Sequence, residues 1–128
     1  MKRVLIFCAL IGLWSSQALA GVVEITSLTT NTTSSAVSVK NAVYKSVYGQ
    51  VVCSSGACVQ TQAIYGTILQ TDTTNGILLC TLTLSGTPRA QDACPVITAP
   101  FPWFYVVTTS TSGTGATGTV QFFTQPTQ

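Results

Sequence analysis

The amino-acid sequence predicts an all-β fold: a small antiparallel β-sandwich or barrel of about seven strands, stapled by disulfides. Threonine, valine and aromatic residues are abundant after position 20, and these residues favour strands. No segment after position 20 has the Glu-, Lys-, Ala- and Leu-rich pattern of an amphipathic helix. Low charge combined with a positive mean hydropathy also argues against disorder.

Turn-forming residues divide the chain into short apolar segments, each long enough for a strand. The Asn75-Gly76 pair is a strong turn signal, and "TSGTGATG" at 111–118 is typical of a flexible loop. The three prolines of "CPVITAPFP" predict an edge strand or an irregular crossing, and "SGTPRAQD" before it predicts a loop that contains Arg89 and Asp92. The predicted strands span 22–28, 42–52, 57–71, 77–84, 103–110 and 119–125.

The first twenty residues have the organisation of a secretory signal peptide. A positive start, "MKR", precedes the apolar segment "VLIFCALIGLW", and Ala18-Leu19-Ala20 supplies the small residues of a cleavage site. The sequence therefore predicts a signal peptide at 1–20 and a single all-β domain at 21–128. The apolar segment is too short for a comfortable membrane span, and no second one follows. We expect a secreted protein, periplasmic or extracellular, without a membrane span in the mature chain.

The four cysteines that follow the signal peptide are expected to form two disulfides, because an exported chain meets an oxidising compartment. The spacing favours Cys53–Cys58 and Cys80–Cys94. A structural zinc site usually has its cysteines two to four residues apart in both pairs, and the second pair lies too far apart. A redox pair usually needs C-x-x-C at a helix N-terminus. The sequence thus predicts no metal and no cofactor.

A Cys53–Cys58 bond suggests a hairpin closed by "SSGA". If the two cysteines face each other, the register of the flanking residues follows. Pairing Val52 with Val59 continues to Val47 with Ile64. Side chains alternate between the two faces of a strand, so this register sorts them into two sets. One face collects Val43, Val47, Ile64, Ile68 and the two cysteines, with Gln60 and Gln62 as polar exceptions. The other face collects Tyr44, Tyr48, Tyr65 and Thr67.

The charge inventory excludes several classes of function. Removing Lys2 and Arg3 from the five cations leaves three, which balance three carboxylates. Three scattered cations cannot form a nucleic-acid interface. The absence of histidine excludes Ser-His-Asp and Cys-His catalysis, and nothing in the sequence pairs two carboxylates for glycoside hydrolysis. The sequence therefore predicts a protein that is not an enzyme. The charged residues of 21–128 are Glu24, Lys40, Lys45, Asp72, Arg89 and Asp92.

Aromatic residues are the candidate binding groups. In a strand that begins at Trp103, the side chains of Trp103, Tyr105 and Val107 share one face, and those of Phe104 and Val106 share the other. Either the first set is half covered by the fold, or it forms an exposed platform for a glycan or a protein. The same alternatives apply to the tyrosines of the hairpin. The candidate binding residues are Tyr44, Tyr48, Tyr65, Trp103 and Tyr105.

These observations predict an exported, non-enzymatic structural or adhesive protein, with self-assembly at the cell surface as one form of that role. Few charges are available to keep strand edges from pairing, and zero net charge leaves little repulsion between copies. Pilin-like and filament subunits share this composition, which is an analogy of composition alone. The expected partners are copies of the chain, another surface protein or a glycan. The alternatives are a monomeric glycan- or protein-binding module and a secreted inhibitor with a stapled hairpin tip.

Overall fold

A computed structural model describes residues 21–29, 31–39 and 42–126, with the backbone alone at 42–44, 110, 111 and 126. The predicted signal peptide lies outside these residues. The described chain forms eight strands and no helix, which confirms the all-β prediction with one strand more than expected. The strands are β1 (Gly21–Leu28), β2 (Val37–Ser38), β3 (Ala42–Val52), β4 (Ser55–Thr67), β5 (Ile77–Gly86), β6 (Arg89–Ala93), β7 (Trp103–Thr114) and β8 (Thr117–Pro126).

The strands form two antiparallel four-stranded sheets that pack face to face as a sandwich. The front sheet has the order β1-β8-β3-β6, and the back sheet has the order β2-β7-β4-β5. Each sheet turns alternate side chains inward, and the inward set is mostly apolar. Among the described residues, the main buried cluster consists of Ile25, Leu28, Val39, Val47, Ile64, Leu82, Cys94, Ile97, Phe104, Val106, Val120 and Phe122.

The expected hairpin between β3 and β4 is wrong, although the disulfide that suggested it is present. Cys53 and Cys58 are bonded, but β3 pairs with β6 and β8, whereas β4 pairs with β5 and β7. The chain therefore passes from one sheet to the other at "CSSGAC", where Gly56 has a positive φ of 78°. Val47 and Ile64 are both buried in one cluster because their sheets pack against each other, and not because the two residues are register partners.

Three local predictions also need correction. Arg89 and Asp92 lie in strand β6 rather than in a loop, because β6 pairs with β3 from Tyr48↔Ala93 to Val52↔Arg89. The predicted loop at 111–118 is mostly strand, since β7 continues to Thr114 and β8 begins at Thr117. Strand β4 ends at Thr67, so Ile68 leaves the apolar face and is largely exposed.

Both predicted disulfides are confirmed, and the second closes one side of the sandwich. Cys80 of β5 is bonded to Cys94, directly after β6, so the bond joins the back sheet to the front sheet. A second link lies nearby, where the Thr83 N–H donates to Asp92 Oδ2 at 3.1 Å. Strands β5 and β6 are the edge strands of their sheets on this side. The two links therefore hold these edges together.

Two buried glutamines, Gln60 and Gln62, form a polar layer in the interior, because side chains alternate along β4 and these two point inward. Gln62 Nε2 donates to Gln60 Oε1 at 2.7 Å and to the Gln50 carbonyl at 3.2 Å, and Gln60 Nε2 donates to the Leu28 carbonyl at 2.9 Å. These bonds connect β4 to β3 and β1 of the opposite sheet. Gly49 and Gly118 lie against the amides, and a Cβ at either position would collide with them.

Candidate binding face

The outer face of the front sheet carries both aromatic and amide side chains on neighbouring strands. The register places Val22, Phe123 and Ser46 in one row, and Glu24, Gln121 and Tyr48 in the next. The third row contains Thr119, Gln50 and Gln91. We call these nine residues the front face. Successive rows are two residues apart along each strand, so all nine side chains point away from the core.

The aromatic part of the front face is exposed to solvent. Tyr48 is 49% exposed and Phe123 is 39% exposed, and their rings meet edge to face with centroids 6.4 Å apart. Val22, in the same row as Phe123, is also exposed. Offset or edge-on geometry is favourable for aromatic pairs, and it holds these rings beside one another on the sheet surface. The pair offers an apolar contact area that no described segment covers.

The polar part is a shallow depression of about 290 Å³ beside the rings. Gln91 Nε2 donates to Gln50 Oε1 at 3.0 Å, and Gln121 Nε2 donates to Glu24 Oε2 at 2.7 Å. These bonds orient the amides and the carboxylate but leave their other polar atoms without partners in the described part of the chain. Glu24 is the charged residue among the lining residues. The depression is lined by Glu24, Tyr48, Gly49, Gln50, Gln91, Thr119 and Gln121.

The outer face of the back sheet differs, because a connection contacts Tyr105 there and this ring is buried. Tyr65 and Tyr105 are register partners and stack with centroids 5.2 Å apart and planes 9° apart. The Gly76 N–H, at the end of the β4–β5 connection, donates to the Tyr105 hydroxyl at 3.1 Å. Tyr105 is consequently only 1% exposed. A ring that is sealed in this way cannot contact a ligand unless the connection moves.

The structure therefore separates the candidate residues that the sequence grouped. Tyr48 and Tyr65 do not share a face, since their strands belong to different sheets with opposite outward directions. Trp103 and Tyr105 do alternate with the buried Phe104, as predicted, but Trp103 is only partly exposed. The side chain of Tyr44 lies outside the described residues. Of the four candidates whose side chains are described, Tyr48 is the one on the front face.

The remaining front-face residues were not identified from the sequence. The signal was available in part, because Tyr48 and Gln50 are two apart in β3, and Gln121 and Phe123 are two apart in β8. Residues two apart in a strand lie on the same side of it, and in both pairs this side faces away from the core. Their proximity depended on the β3–β8 pairing, which a sequence pattern does not specify.

The three carboxylates of the described chain occupy separate places. Glu24 lies on the front face, and Asp92 accepts from Thr83. Asp72 Oδ1 accepts from the backbone N–H groups of Thr74 and Asn75 at 3.1 and 3.0 Å. Those two bonds lower the pKa of Asp72, and they show that its carboxylate stabilises its own turn. Within the described ranges, no three Cys, Asp or Glu side chains group as metal ligands.

Lys45 is a buried cation at one end of the core. Its side chain is 2% exposed, and its Nζ donates to the Ala99 carbonyl at 2.8 Å and lies 5.5 Å from the centre of the Phe104 ring. Burial removes water from the ammonium group and lowers the pKa of Lys45 below its ordinary value of 10.5. No salt bridge to a described carboxylate accompanies it. The amine has no access to the front face, because β3 turns it inward.

Comparisons with protein-family models, with curated proteins and with solved structures found no match. No helix among the described residues is long and apolar enough to cross a membrane. The two disulfides are consistent with a protein that folds in an oxidising compartment.

Proposed function

We propose that this protein is exported by the signal peptide at 1–20 and acts as a non-enzymatic adhesive protein that binds neutral glycans through its front face. The observation that carries the proposal is the grouping of Tyr48 and four planar amide or carboxylate side chains around one depression that no described segment covers, with Phe123 packed against Tyr48. The four are Glu24, Gln50, Gln91 and Gln121.

The donor and acceptor groups of the depression match a polyhydroxylated ligand. A sugar hydroxyl both donates and accepts a hydrogen bond, and a glutamine amide offers a donor and an acceptor from one plane. Gln91 and Gln121 each donate an N–H to a neighbouring side chain, which leaves their side-chain carbonyl oxygens free to accept from ligand hydroxyls. The Glu24 carboxylate adds a further acceptor. These groups favour hydroxyl-rich ligands over apolar ones.

The rings and the charge select further among glycans. A pyranose ring has an apolar C–H face, which packs on an aromatic side chain. Tyr48 supplies that surface at the border of the depression. Glu24 would repel a carboxylate or sulfate group, because no cation lies among the lining residues. The site therefore favours neutral over acidic glycans.

Oligosaccharide titration tests this proposal. A panel of neutral oligosaccharides and acidic counterparts is titrated into the protein while amide chemical shifts are recorded. We expect shifts in β3, β6 and β8 with neutral members. Tyr48→Ala should weaken binding at least tenfold, because stacking contacts are lost. Thr81→Ala, on the exposed side of β5 in the back sheet, is the matched control.

Three results would reject the glycan proposal. One is a complete absence of shifts with every oligosaccharide. Another is equal binding by the wild-type protein and Tyr48→Ala. A third is that the front-face shifts depend on protein concentration alone, which would make the face a protein contact. The inhibitor alternative would have to act through a disulfide-closed crossing between the sheets, because "CSSGAC" is not a hairpin tip.

A further inference from the structure

The edges of the two sheets are protected to different degrees. On one side, β5 and β6 are held together by the Cys80–Cys94 bond and by the Thr83–Asp92 hydrogen bond. On the other side, β2 pairs with part of β7, and the segment that precedes β2 in the chain also forms hydrogen bonds with β7. There the Ser34 N–H donates to the Val106 carbonyl, and the Thr108 N–H donates to the Thr32 carbonyl. Three of the four edges are therefore joined or short.

Strand β1 is the exception. It pairs with β8 on one side in a regular register from Gly21 to Ile25. On its other side, the backbone of residues 21–25 makes no hydrogen bond to another described residue. An edge strand presents a row of unpaired N–H and C=O groups, which is a template for a further strand. The regular edge is five residues long, because a bulge follows Ile25 and Ser27 has a φ of 59°.

The usual protection of an edge strand is missing from this segment. Residues 21–25, "GVVEI", contain no proline and no lysine, and the bulge lies beyond them. Glu24 is the one charged residue of this segment. Its side chain accepts a hydrogen bond from Gln121 on the front face and does not extend along the edge. Nothing in the described part of the chain therefore opposes pairing at this edge.

We propose that two copies of the protein pair through their β1 edges, antiparallel about a two-fold axis, to form a continuous eight-stranded front sheet. An antiparallel edge is complementary to itself, which is the requirement for a two-fold interface. Pairing all of residues 21–25 places Val23 on the axis. Glu24 of one copy then lies opposite Val22 of the other, so no two carboxylates face each other.

Two further observations favour a second copy as the occupant of this edge. Residues 21–128 contain equal numbers of cations and carboxylates, so there is little electrostatic repulsion between copies. Glu24 of β1 also borders the depression, so pairing at β1 would place the two depressions in one continuous surface. Two linked sites on one surface raise the apparent affinity for a repeating ligand. The pairing itself does not depend on the glycan proposal.

Sedimentation equilibrium of the disulfide-bonded protein and of variants at Val22 tests the pairing. We expect the wild-type protein to form a dimer that dissociates on dilution. Val22→Glu should weaken the dimer about tenfold, because each new carboxylate faces Glu24 of the other copy and the contact occurs twice. Val22→Lys should retain or strengthen the dimer, because the same position then offers an opposite charge. Val22 is exposed, so both variants are expected to fold, and circular dichroism checks this.

Ser46→Glu is the matched control. Ser46 lies in the same row as Val22 and is exposed, but it belongs to β3, a central strand. It should leave the dimer unchanged. Equal weakening by Ser46→Glu and Val22→Glu would show stacking of front faces and would overturn the edge pairing. A wild-type monomer at millimolar concentration, or equal weakening by both Val22 variants, would overturn it as well. Glycan binding by such a monomer would leave the proposed function intact.

Discussion

The outer faces of the two sheets carry the same type of side chain in different environments. Tyr48 on the front face is half exposed, and no described segment crosses it. Tyr105 on the back sheet is also turned outward, yet it is buried by Tyr65 beside it and by the connection that ends at Gly76. An outward position in a strand therefore does not make a side chain available. Availability depends on which connection passes over the sheet, and the predictions below test that difference.

The largest expected difference is between alanine substitutions of the two tyrosines. Tyr105→Ala removes a buried ring and should lower the free energy of unfolding by about 3–5 kcal/mol. Tyr48→Ala removes an exposed ring and should change it by less than about 0.5 kcal/mol. Urea unfolding of the three proteins, monitored by circular dichroism, measures both values. Similar losses for the two variants would contradict the contrast between the faces.

A smaller effect isolates the contact that seals the back sheet. Tyr105→Phe keeps the ring but removes the acceptor of the Gly76 N–H, and it should cost about 1 kcal/mol. It should also speed hydrogen exchange at the Gly76 amide. Tyr65→Phe is the control, because the Tyr65 hydroxyl has no hydrogen-bond partner in the described chain. Unchanged exchange at Gly76 in Tyr105→Phe would show that the hydroxyl does not hold the connection.

Lys45 should produce a pH-dependent difference. Burial lowers its pKa in the folded state, so the unfolded state binds more protons between that lowered pKa and 10.5. Stability should therefore rise with pH across this window, as the folded amine loses its charge. Lys45→Met should be relatively more stable below the window and should lack the rise. Urea unfolding at a series of alkaline pH values compares the two proteins, and identical profiles would refute the effect.

The smallest expected effect concerns the turn that leads to Gly76. The hydrogen bonds from the backbone N–H groups of Asn75 and Thr74 lower the pKa of Asp72 below 3.8 in the folded state. The contribution of the Asp72 carboxylate to stability is therefore lost as the pH falls through this folded-state pKa. Asp72→Ala should be slightly less stable at neutral pH and should lack this acid-dependent loss. Thermal unfolding between pH 2 and 6 tests the prediction, with Thr81→Ala as a control that keeps the carboxylate. An acid-dependent loss of the same size in Asp72→Ala would assign it to other carboxylates.

Much of the fold follows from local rules. The alternation of β3 and β4 correctly placed Val47 and Ile64 in the interior, together with the exceptional Gln60 and Gln62. It did so although the pairing of the two strands was wrong. A hairpin and a crossing between sheets turn the same residues toward the core, so the alternation cannot distinguish them. The front face was not predicted as a group for the same reason, because its members meet through β3–β8 and β3–β6 pairs that are distant in sequence.

The sequence by itself determined the all-β class, both disulfide pairs and the side of β3 and β4 that faces the core. These properties depend on residue type and short spacing, which a linear pattern records directly. The tertiary structure decided which strands are neighbours, that Arg89 and Asp92 belong to a strand, and that Tyr48 is exposed while Tyr105 is sealed. These outcomes depend on long-range packing, where several arrangements bury the same apolar residues and differ in which segments lie beside or above them.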